Sequence, residues 1–436
     1  MGEAGERQIL TVARERAVLV SCLLPGHESN PHDPLDELRA LAQTAGAIVV
    51  DEIIQRREKP DPGTFIGSGK VQEIAQCVHA LHAEVVIFDN DLSPSQIGGI
   101  EEIVKVKILD RSELILDIFA GRARTTEAKL QVELAQLEYT YPRLRAMWSH
   151  LERIAGGAPT GIGTRGPGEQ QLEIDRRLVQ RRVTMLKREI VRVQGRKERE
   201  VAARNVDFFT VGLVGYTNAG KSTLFNTLTA GQAYADDKLF ATLSTRTRQW
   251  NLGGGERVML SDTVGFIRDL PHQLVASFRA TLEEAVHSDL LLVVVDLAHA
   301  RCREQLETVR EVLDDIGATS QPRLLVLNKI DRLEHNADLL VFEKEYEGQT
   351  VAISAKTGRG IDQLVERVRH FMRGEQLTVK MEVDRADGKA THFVETWAQV
   401  LGREYREQAT VYEVKIGKRQ MDQLYAMGAK FRLLDE

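Results

Sequence analysis

The sequence predicts a multidomain α/β protein, and three observations lead to that prediction. The chain has 436 residues, more than one ordinary domain holds. Apolar, strand-like runs alternate with amphipathic segments over residues 1–120 and again over 208–376, a pattern typical of parallel α/β sheets. Between them, residues 121–207 show only helical periodicity. We therefore expect an N-terminal parallel α/β domain, an antiparallel helical hairpin, a second parallel α/β domain and, at 377–436, a small C-terminal α/β domain.

The composition is that of a globular protein, with 42% hydrophobic and 28% charged residues, which excludes collagen-like and disordered chains. The longest apolar run, 290–295, is far shorter than a membrane-spanning helix, and the first residues lack the apolar core of a secretory signal. The three cysteines lie far apart, with neither metal-ligand nor disulfide spacing. We expect a cytoplasmic monomer without a membrane span.

In the N-terminal domain, apolar runs predict strands that alternate with helices. Strands are expected at 17–24, 47–54, 84–88 and 106–109, and helices at 35–45, 70–82 and 93–104. Between them, Gly67-Ser68-Gly69-Lys70 looks like the end of a phosphate-binding loop, but Val71 stands where that motif requires Ser or Thr. We interpret the segment as a turn that starts a helix.

Two heptad seams predict the helical hairpin. Pro142 should kink or interrupt the first helix. The alternative is two ordinary amphipathic helices packed on a domain, but strand patterns stop here and both seams are long, which favours the hairpin. The seam residues, spaced by four and three, are Leu130, Leu134, Leu137, Tyr141, Leu144, Trp148 and Leu151, then Val179, Val183, Leu186, Ile190 and Val193.

The hairpin region is basic, although the whole chain has a net charge of −6. Residues 121–205 hold 18 Lys and Arg against 10 Asp and Glu, so the remainder holds 40 against 54. The joining loop, 156–168, contains six glycines and the single charge of Arg165. Glycines permit close backbone approach and arginines bind phosphates, which is consistent with a tip that touches RNA. A solvated helical face and a plain linker are the alternatives. The flanking arginines are Arg153, Arg176, Arg177, Arg181 and Arg182.

A phosphate-binding loop lies between a predicted strand at 208–214 and a helix that opens at 223–228. The match to G-x-x-x-x-G-K-S is specific because strand and helix flank it as the motif requires. The backbone N–H groups of 218–221 would point at the β-phosphate, Lys221 would bridge the β- and γ-phosphates, and Ser222 would hold Mg²⁺. The expected residues are Gly215, Tyr216, Thr217, Asn218, Ala219, Gly220, Lys221 and Ser222.

Two later motifs would select the base. The Asp331 carboxylate can accept from both the ring N–H and the exocyclic amine of guanine, a donor pair that adenine lacks. Asn328 would brace the base and Lys329 would cover its ring. The Ala355 N–H would reach the guanine carbonyl, so GTP and GDP are the expected ligands. The motifs, each after a predicted strand, are Asn328-Lys329-Ile330-Asp331 and Ser354-Ala355-Lys356.

Two further segments would sense the γ-phosphate and complete the Mg²⁺ shell. Asp262 would bind Mg²⁺, directly or through water, and the Gly265 N–H would contact the γ-phosphate. Thr242, which follows the helix and a short acidic loop, is favoured over Thr245 and Thr247 as the ligand that joins Mg²⁺ only when GTP is bound. The segments are Asp262-Thr263-Val264-Gly265 and Phe240-Ala241-Thr242-Leu243.

Lys221, Gly265 and Asn218 are the expected catalytic residues. Phe266 occupies the position where many GTPases carry a water-orienting Gln, and it cannot hydrogen-bond water. Slow intrinsic hydrolysis is therefore expected, with the missing group supplied by another residue, an ion or a partner. In a loop of the form G-x-x-N-x-G-K-S, the Asn resembles one that helps to hold K⁺ against the phosphates, where an arginine finger would place its charge.

Two regions outside these motifs have weaker patterns. Predicted strands at 248–252 and 257–260 flank three glycines and form a hairpin, so the sheet should have one antiparallel edge. The C-terminal domain is interpreted as strand, helix, strand, helix, with strands at 377–383 and 409–416, a turn at Asp387-Gly388, an element at 393–401 and a helix at 418–427. It carries no catalytic constellation, so packing or partner contact is its expected role.

Together, these motifs indicate a GTPase of the translation-factor-like class, and the chain resembles the HflX family of ribosome-associated GTPases over nearly its whole length. The resemblance rests on GYTNAGKSTLFN, LFATL, DTVGFI, NKID and the loop sequence GTRGPGE. It implies binding to the large (50S) ribosomal subunit near the peptidyl-transferase centre and splitting of stalled or idle ribosomes, with hydrolysis permitting release. Some members are thought to bind ATP in the N-terminal domain, so a second site at 67–70 stays open.

Two other functions remain open at this point. One is a regulatory GTPase that switches a protein partner, with the basic hairpin as a docking arm. The other is an RNA-remodelling ATPase driven by the N-terminal domain, with the GTP site in a regulatory role.

Overall fold

The computed structural model describes residues 14–26, 30, 33–139, 177–196, 208–229, 239–240, 245–269, 285–333, 335, 337–374 and 376–434. Within these ranges it contains three sheets with covering helices, in the predicted order along the chain. The multidomain α/β class is therefore confirmed. No helix in the described ranges is long and apolar enough to cross a membrane.

The N-terminal sheet has the strand order β2-β1-β3-β4, and all of its strand pairs are parallel. The inner strand β1 is buried on both faces, because its residues Ala17 and Leu19 contribute to one hydrophobic core and Val18 and Val20 to another. Both faces therefore need covering helices, as in parallel sheets generally. The elements are β1 (Arg16–Leu23), α1 (Asp36–Ala45), β2 (Ile48–Arg56), α2 (Ser68–Leu81), β3 (Val85–Phe88), α3 (Pro94–Val104), β4 (Lys107–Leu109) and α4 (Arg111–Arg122).

Local sequence explains how these helices begin. Gly67 is the residue before α2 and has extended backbone angles, so the turn that starts a helix at 67–70 is confirmed. Ser93 and Gln96 form a capping box at α3, with Pro94 in the first helical turn. Asp110 caps α4 by accepting from the backbone N–H of Glu113 at 2.9 Å. The sequence interpretation did not include α4.

Two further helices, α5 (126–139) and α6 (177–196), pack against each other through the predicted seams. Ion pairs of 2.7 Å join Glu133 to Arg182 and Glu138 to Lys187 along their border. Pro142, the loop 156–168 and the positions of the first seam beyond 139 lie outside the described residues. The apolar contacts are made by Leu130, Leu134, Leu137, Val183, Leu186 and Ile190.

The second sheet has the order β10-β9-β8-β5-β7-β6, parallel except for the β6–β7 pair. The antiparallel edge strand predicted from the glycine hairpin is therefore confirmed. Because β5 and β8 lie side by side at the centre, the loops after their carboxyl ends meet above the sheet, where ligands of such folds bind. The elements are β5 (Thr210–Gly215), α7 (Lys221–Thr229), β6 (Arg246–Gly253), β7 (Glu256–Asp262), β8 (Leu290–Asp296), α8 (Cys302–Asp315), β9 (Arg323–Asn328), α9 (Ala337–Glu345), β10 (Thr350–Ala352) and α10 (Ile361–Arg373).

The predicted order of strand, helix, strand, helix in the C-terminal domain was wrong. The domain is a β-α-β-β-α-β unit with sheet order β12-β13-β11-β14, all antiparallel, which is the split βαβ arrangement. Asp387 caps a helix rather than forming a free turn, because its side chain accepts from the Ala390 N–H. The elements are β11 (Gln376–Asp384), α11 (Gly388–Trp397), β12 (Gln399–Tyr405), β13 (Ala409–Gly417), α12 (Lys418–Ala426) and β14 (Phe431–Leu434).

Candidate nucleotide site

The phosphate-binding loop connects β5 to α7, as the motif requires. Its backbone turns through left-handed positions, with φ +60° at Asn218 and +96° at Gly220. A Cβ at Gly220 would collide with the side-chain amide of Asn328, so the loop and the base-binding motif touch where glycine leaves room. This close fit brings the first and second predicted motifs into one site.

Lys221 lies buried at the start of α7, and its Nζ donates to the carbonyl oxygens of Gly215, at 2.9 Å, and Tyr216, at 2.7 Å. Burial lowers the pKa of Lys221 to about 8, although the nearby Asp262 carboxylate acts in the opposite direction. Phosphate charge would also favour the ammonium form. The position of the lysine ammonium is therefore fixed by backbone carbonyls of the loop itself.

The two residues described here that the sequence predicts as Mg²⁺ ligands meet at the end of β7. The Ser222 Oγ donates to the Asp262 carboxylate at 2.9 Å, which places both predicted metal ligands together. Hydroxyl and carboxylate oxygens are the ligands that Mg²⁺ prefers, so these residues fit the ion. Thr263 Oγ1 donates to the Leu213 carbonyl at 2.6 Å and fixes the adjoining backbone to β5.

The base-binding motifs converge on the opposite side of the loop. Asn328 Nδ2 donates to the Ala219 carbonyl at 2.9 Å, and its Oδ1 accepts from the Ala355 N–H at 2.9 Å. The Ala355 N–H, expected to reach the guanine carbonyl, thus bonds to Asn328 in this structure. Ser354 Oγ donates to Asp331 at 2.5 Å, which lowers the pKa of that carboxyl and favours the ionised form that guanine recognition needs. Ile330 starts a short 3₁₀ turn that carries Asp331, and Lys356 follows Ala355 in an exposed turn.

Lys329, which is expected to cover the guanine ring, donates from its Nζ to the Asn218 carbonyl of the phosphate-binding loop at 2.8 Å. The same Nζ is ion-paired with Asp296 at 2.6 Å. Sequence reasoning missed Asp296, and the only signal for it was a carboxylate at the end of an apolar strand. Parallel neighbouring strands bring Asp296 and Asn328 into register, which explains how it reaches the motif.

The segment after β7 lies against the phosphate-binding loop. The Thr217 N–H donates to the Phe266 carbonyl at 2.6 Å, and the Phe266 N–H donates to the Gly215 carbonyl at 3.1 Å. A Cβ built on Gly265 would lie 3.1 Å from Lys221 Nζ, so this glycine stands beside the phosphate-binding lysine. The Phe266 side chain is buried, as its apolar character suggests. Val264, between these contacts and β7, is buried as well.

The segment at 240–243, predicted to hold the switch threonine, is described in part. Phe240 is buried, and its N–H donates to Thr217 Oγ1 at 3.1 Å. Ala241, Thr242 and Leu243 lie outside the described residues, so the favoured Mg²⁺ ligand remains a prediction. The alternative Thr247 lies on β6, where its hydroxyl bonds to Ser261 at 3.0 Å, and this contact fits an ordinary strand threonine.

Comparison with known proteins identifies the family of this chain. Family models match at 32–120, described as GTP-binding GTPase N-terminal, at 122–204, GTP-binding GTPase Middle Region, and at 210–329, 50S ribosome-binding GTPase. The GTPase HflX of Escherichia coli is 44% identical over 378 residues, 86% of this chain and 87% of that protein. The GTPase HflX of Lacrimispora saccharolytica is 43% identical over 396 residues, 90% and 91% of the two chains. A crystal structure of SsGBP in complex with GDP is 27% identical, covers 82% of this chain and 98% of that chain, and has a TM-score of 0.49. On the identity and length of the two HflX matches, the chain belongs to the HflX family of GTPases.

Proposed function

We propose that this GTPase binds the large ribosomal subunit, splits stalled or idle ribosomes in the cytoplasm and leaves after hydrolysing GTP. Mg²⁺ bound by Ser222 and Asp262 would neutralise phosphate charge in that reaction. The match to a family described as 50S ribosome-binding GTPase supports the choice of partner. Similar chains carry a GTPase name, which supports the activity but leaves the splitting step as our proposal.

The observation that carries this proposal is the basic surface of α6. Its apolar seam faces α5, so the arginines between the seam positions are turned outward, and Arg181, Arg188 and Arg192 are exposed. A helix with one apolar side and one arginine-rich side can pack on the protein while the other side binds phosphate. The helix pair therefore offers an RNA-binding side that the nucleotide site does not occupy.

The test is sedimentation with purified large subunits in a non-hydrolysable GTP analogue. Replacing Arg181, Arg188 and Arg192 with Glu should abolish co-sedimentation and leave GTP affinity unchanged. A control triple substitution to Glu at cationic residues elsewhere, Arg303 and Arg310 of α8 and Lys344 of the adjoining α9, should leave co-sedimentation intact. Arg303 and Lys344 are exposed and Arg310 is half-buried. Equal binding by both triple variants would reject the basic helix as the contact.

The loop 156–168 is tested separately, because subunit binding and splitting are different steps. Arg165→Glu, or alanine at 161–163, should abolish splitting measured by light scattering, while GTP affinity stays at the wild-type value. Subunit binding should fall less, since α6 still binds phosphate, and what remains should weaken steeply with salt. Intact splitting by both variants would mean that the loop is only a linker. Failure of wild-type protein to bind subunits would instead favour a protein partner.

A further inference from the structure

A buried charged cluster joins the N-terminal domain to the nucleotide site. We call it the border cluster, and each of its members is at most 9% exposed. Burying four formal charges is costly unless they are paired, so their arrangement needs a structural reason. The members are Glu37, Asp89 and Arg111 from the N-terminal domain, and Tyr216 and Arg268 from the GTPase domain.

The charges of the border cluster balance, because two carboxylates are shared by two guanidinium groups. Arg111 contacts Glu37 and Asp89, both at 2.7 Å. Arg268 contacts the same two carboxylates at 2.6 and 3.0 Å. Burial alone would raise the pKa of Glu37, but Arg111, Arg268 and the Tyr216 hydroxyl outweigh it and lower that pKa. Removing one member would leave a buried charge without its partner.

Tyr216 connects the cluster to the phosphate-binding loop. Its hydroxyl donates to Glu37 and accepts from the backbone N–H of Arg268 at 3.0 Å. Its carbonyl accepts from Lys221 Nζ at 2.7 Å. One residue of the loop thus contacts the N-terminal domain with its side chain and the phosphate-binding lysine with its backbone.

Arg268 connects the cluster to the γ-phosphate sensor. It follows Gly265 by three residues, and the intervening Phe266 forms a parallel β-bridge with Tyr216. Gly265 therefore lies beside Lys221, while Arg268 is ion-paired with carboxylates of the N-terminal domain. A shift of the Gly265 N–H away from the phosphate would strain the Arg268 pairs.

The N-terminal domain also holds the segment that precedes Thr242. The Leu239 N–H donates to Thr44 Oγ1 at 3.2 Å, and the Phe240 ring meets the Phe119 ring edge-on at 4.5 Å. Thr44 lies on α1 and Phe119 on α4, the helices that contribute Glu37 and Arg111. The same two helices thus contact both segments that respond to the γ-phosphate in proteins of this kind.

We propose that Glu37 and Asp89 are positioning residues for GTP: through Arg268 and Tyr216 they hold the 262–268 segment closed on the phosphate-binding loop. The N-terminal domain is then coupled to the nucleotide, and the coupling is reciprocal. GTP tightens the border between the domains, and the border favours GTP over GDP. This inference concerns nucleotide binding alone and does not depend on the ribosomal partner.

The experiment compares the affinities of full-length proteins for GDP and for a non-hydrolysable GTP analogue. Glu37→Gln keeps the size and an acceptor oxygen for Tyr216 but removes the charge that holds Arg268. We expect its preference for the GTP analogue, relative to GDP, to fall by about fivefold or more. GDP affinity should change less than the analogue affinity. The matched control is Glu52→Gln, which removes the charge of another carboxylate in the same domain, one that pairs with Arg39 at 2.5 Å. Its preference for the GTP analogue over GDP should equal that of wild type.

Two further measurements separate positioning from loss of structure. Arg268→Met should also lower the preference for the GTP analogue. The Glu37→Gln/Arg268→Met double variant should show a loss no larger than that of the more affected single variant, because both changes act through one cluster. Hydrogen exchange in α1 should slow when the analogue replaces GDP in wild type but not in Glu37→Gln. If Glu37→Gln does not fold, Tyr216→Phe, which loses only one hydroxyl, is used in its place. Its affinity for the GTP analogue relative to GDP should fall in the same way. An unchanged or increased preference in a folded variant overturns the proposal.

Discussion

At the scale of single residues, the nucleotide site is a set of mutual contacts in which each motif positions the next. Asn328 bonds to the phosphate-binding loop and to the Ala355 amide, while Lys329 bonds to the loop and to Asp296. Asp331, in contrast, is largely exposed and bonds to Ser354. The carboxylate predicted to read the base is therefore available to a ligand, and Asn328 and Lys329 fix the loops around it.

Asp331→Asn should weaken GTP binding and favour xanthosine triphosphate, because an amide can donate to the xanthine 2-oxo group. A competition assay between the two nucleotides measures the preference. Asp315→Asn, at the exposed end of α8, makes the same chemical change away from the site and should keep guanine preference. Unchanged guanine preference in Asp331→Asn would reject its base-reading role.

Asn218 is expected to make hydrolysis depend on K⁺. It has a left-handed backbone in the loop, where its side chain could help to hold an ion beside the phosphates. Turnover in K⁺ should exceed turnover in Na⁺ at equal ionic strength for the wild type. Asn218→Ala should remove that difference. Equal wild-type rates in both salts would exclude the cation from the mechanism.

At the scale of elements, the phosphate-binding loop depends on the close approach of two loops above the sheet. Gly220→Ala would place a methyl group on the Asn328 side chain at a positive φ, so it should reduce GTP affinity at least tenfold. Gly348→Ala is the matched control, since its φ is +74° but no atom lies within 4 Å of the added methyl group. Isothermal titration with GTP measures the affinity of each variant. Similar affinities for the two variants would contradict the role assigned to the contact.

Motif spacing and apolar runs were enough to predict the elements that carry the site, because buried parallel strands are continuous apolar segments followed by loops of restricted composition. The prediction was weaker at the two edge strands of the C-terminal sheet. Strand β12 alternates between exposed and half-buried residues and β14 has four residues, so neither shows a distinct apolar run. Contacts between domains were also missed, since nothing in the spacing of Glu37, Tyr216 and Arg268 shows that they meet. Asp296 was missed for the same reason.

At the scale of the whole molecule, two kinds of charge pairing coexist in the N-terminal domain. Arg39 lies near the surface, 32% exposed, and pairs with Asp33 and Glu52. Arg111 has the same kind of partners, two carboxylates, but is 1% exposed and lies at the border with the GTPase domain. Solvent screens the first set and not the second, so the two arginines should differ in what they contribute to stability.

Arg111→Met should therefore lower the thermal unfolding midpoint strongly, because breaking a buried pair from one side costs about 3–5 kcal/mol. Arg39→Met should lower it little, since exposed pairs contribute about 0–1 kcal/mol.

The lowered pKa of Glu37 means that its stabilising contribution is present above the unfolded pKa, near 4.3, and is lost as pH falls through the folded value. Without Arg111, burial has less opposition and the pKa of Glu37 rises, so acid destabilisation should begin at a higher pH than in wild type. Unfolding midpoints measured from pH 4 to pH 7 for both variants test this, and parallel pH profiles for Arg111→Met and wild type would contradict it.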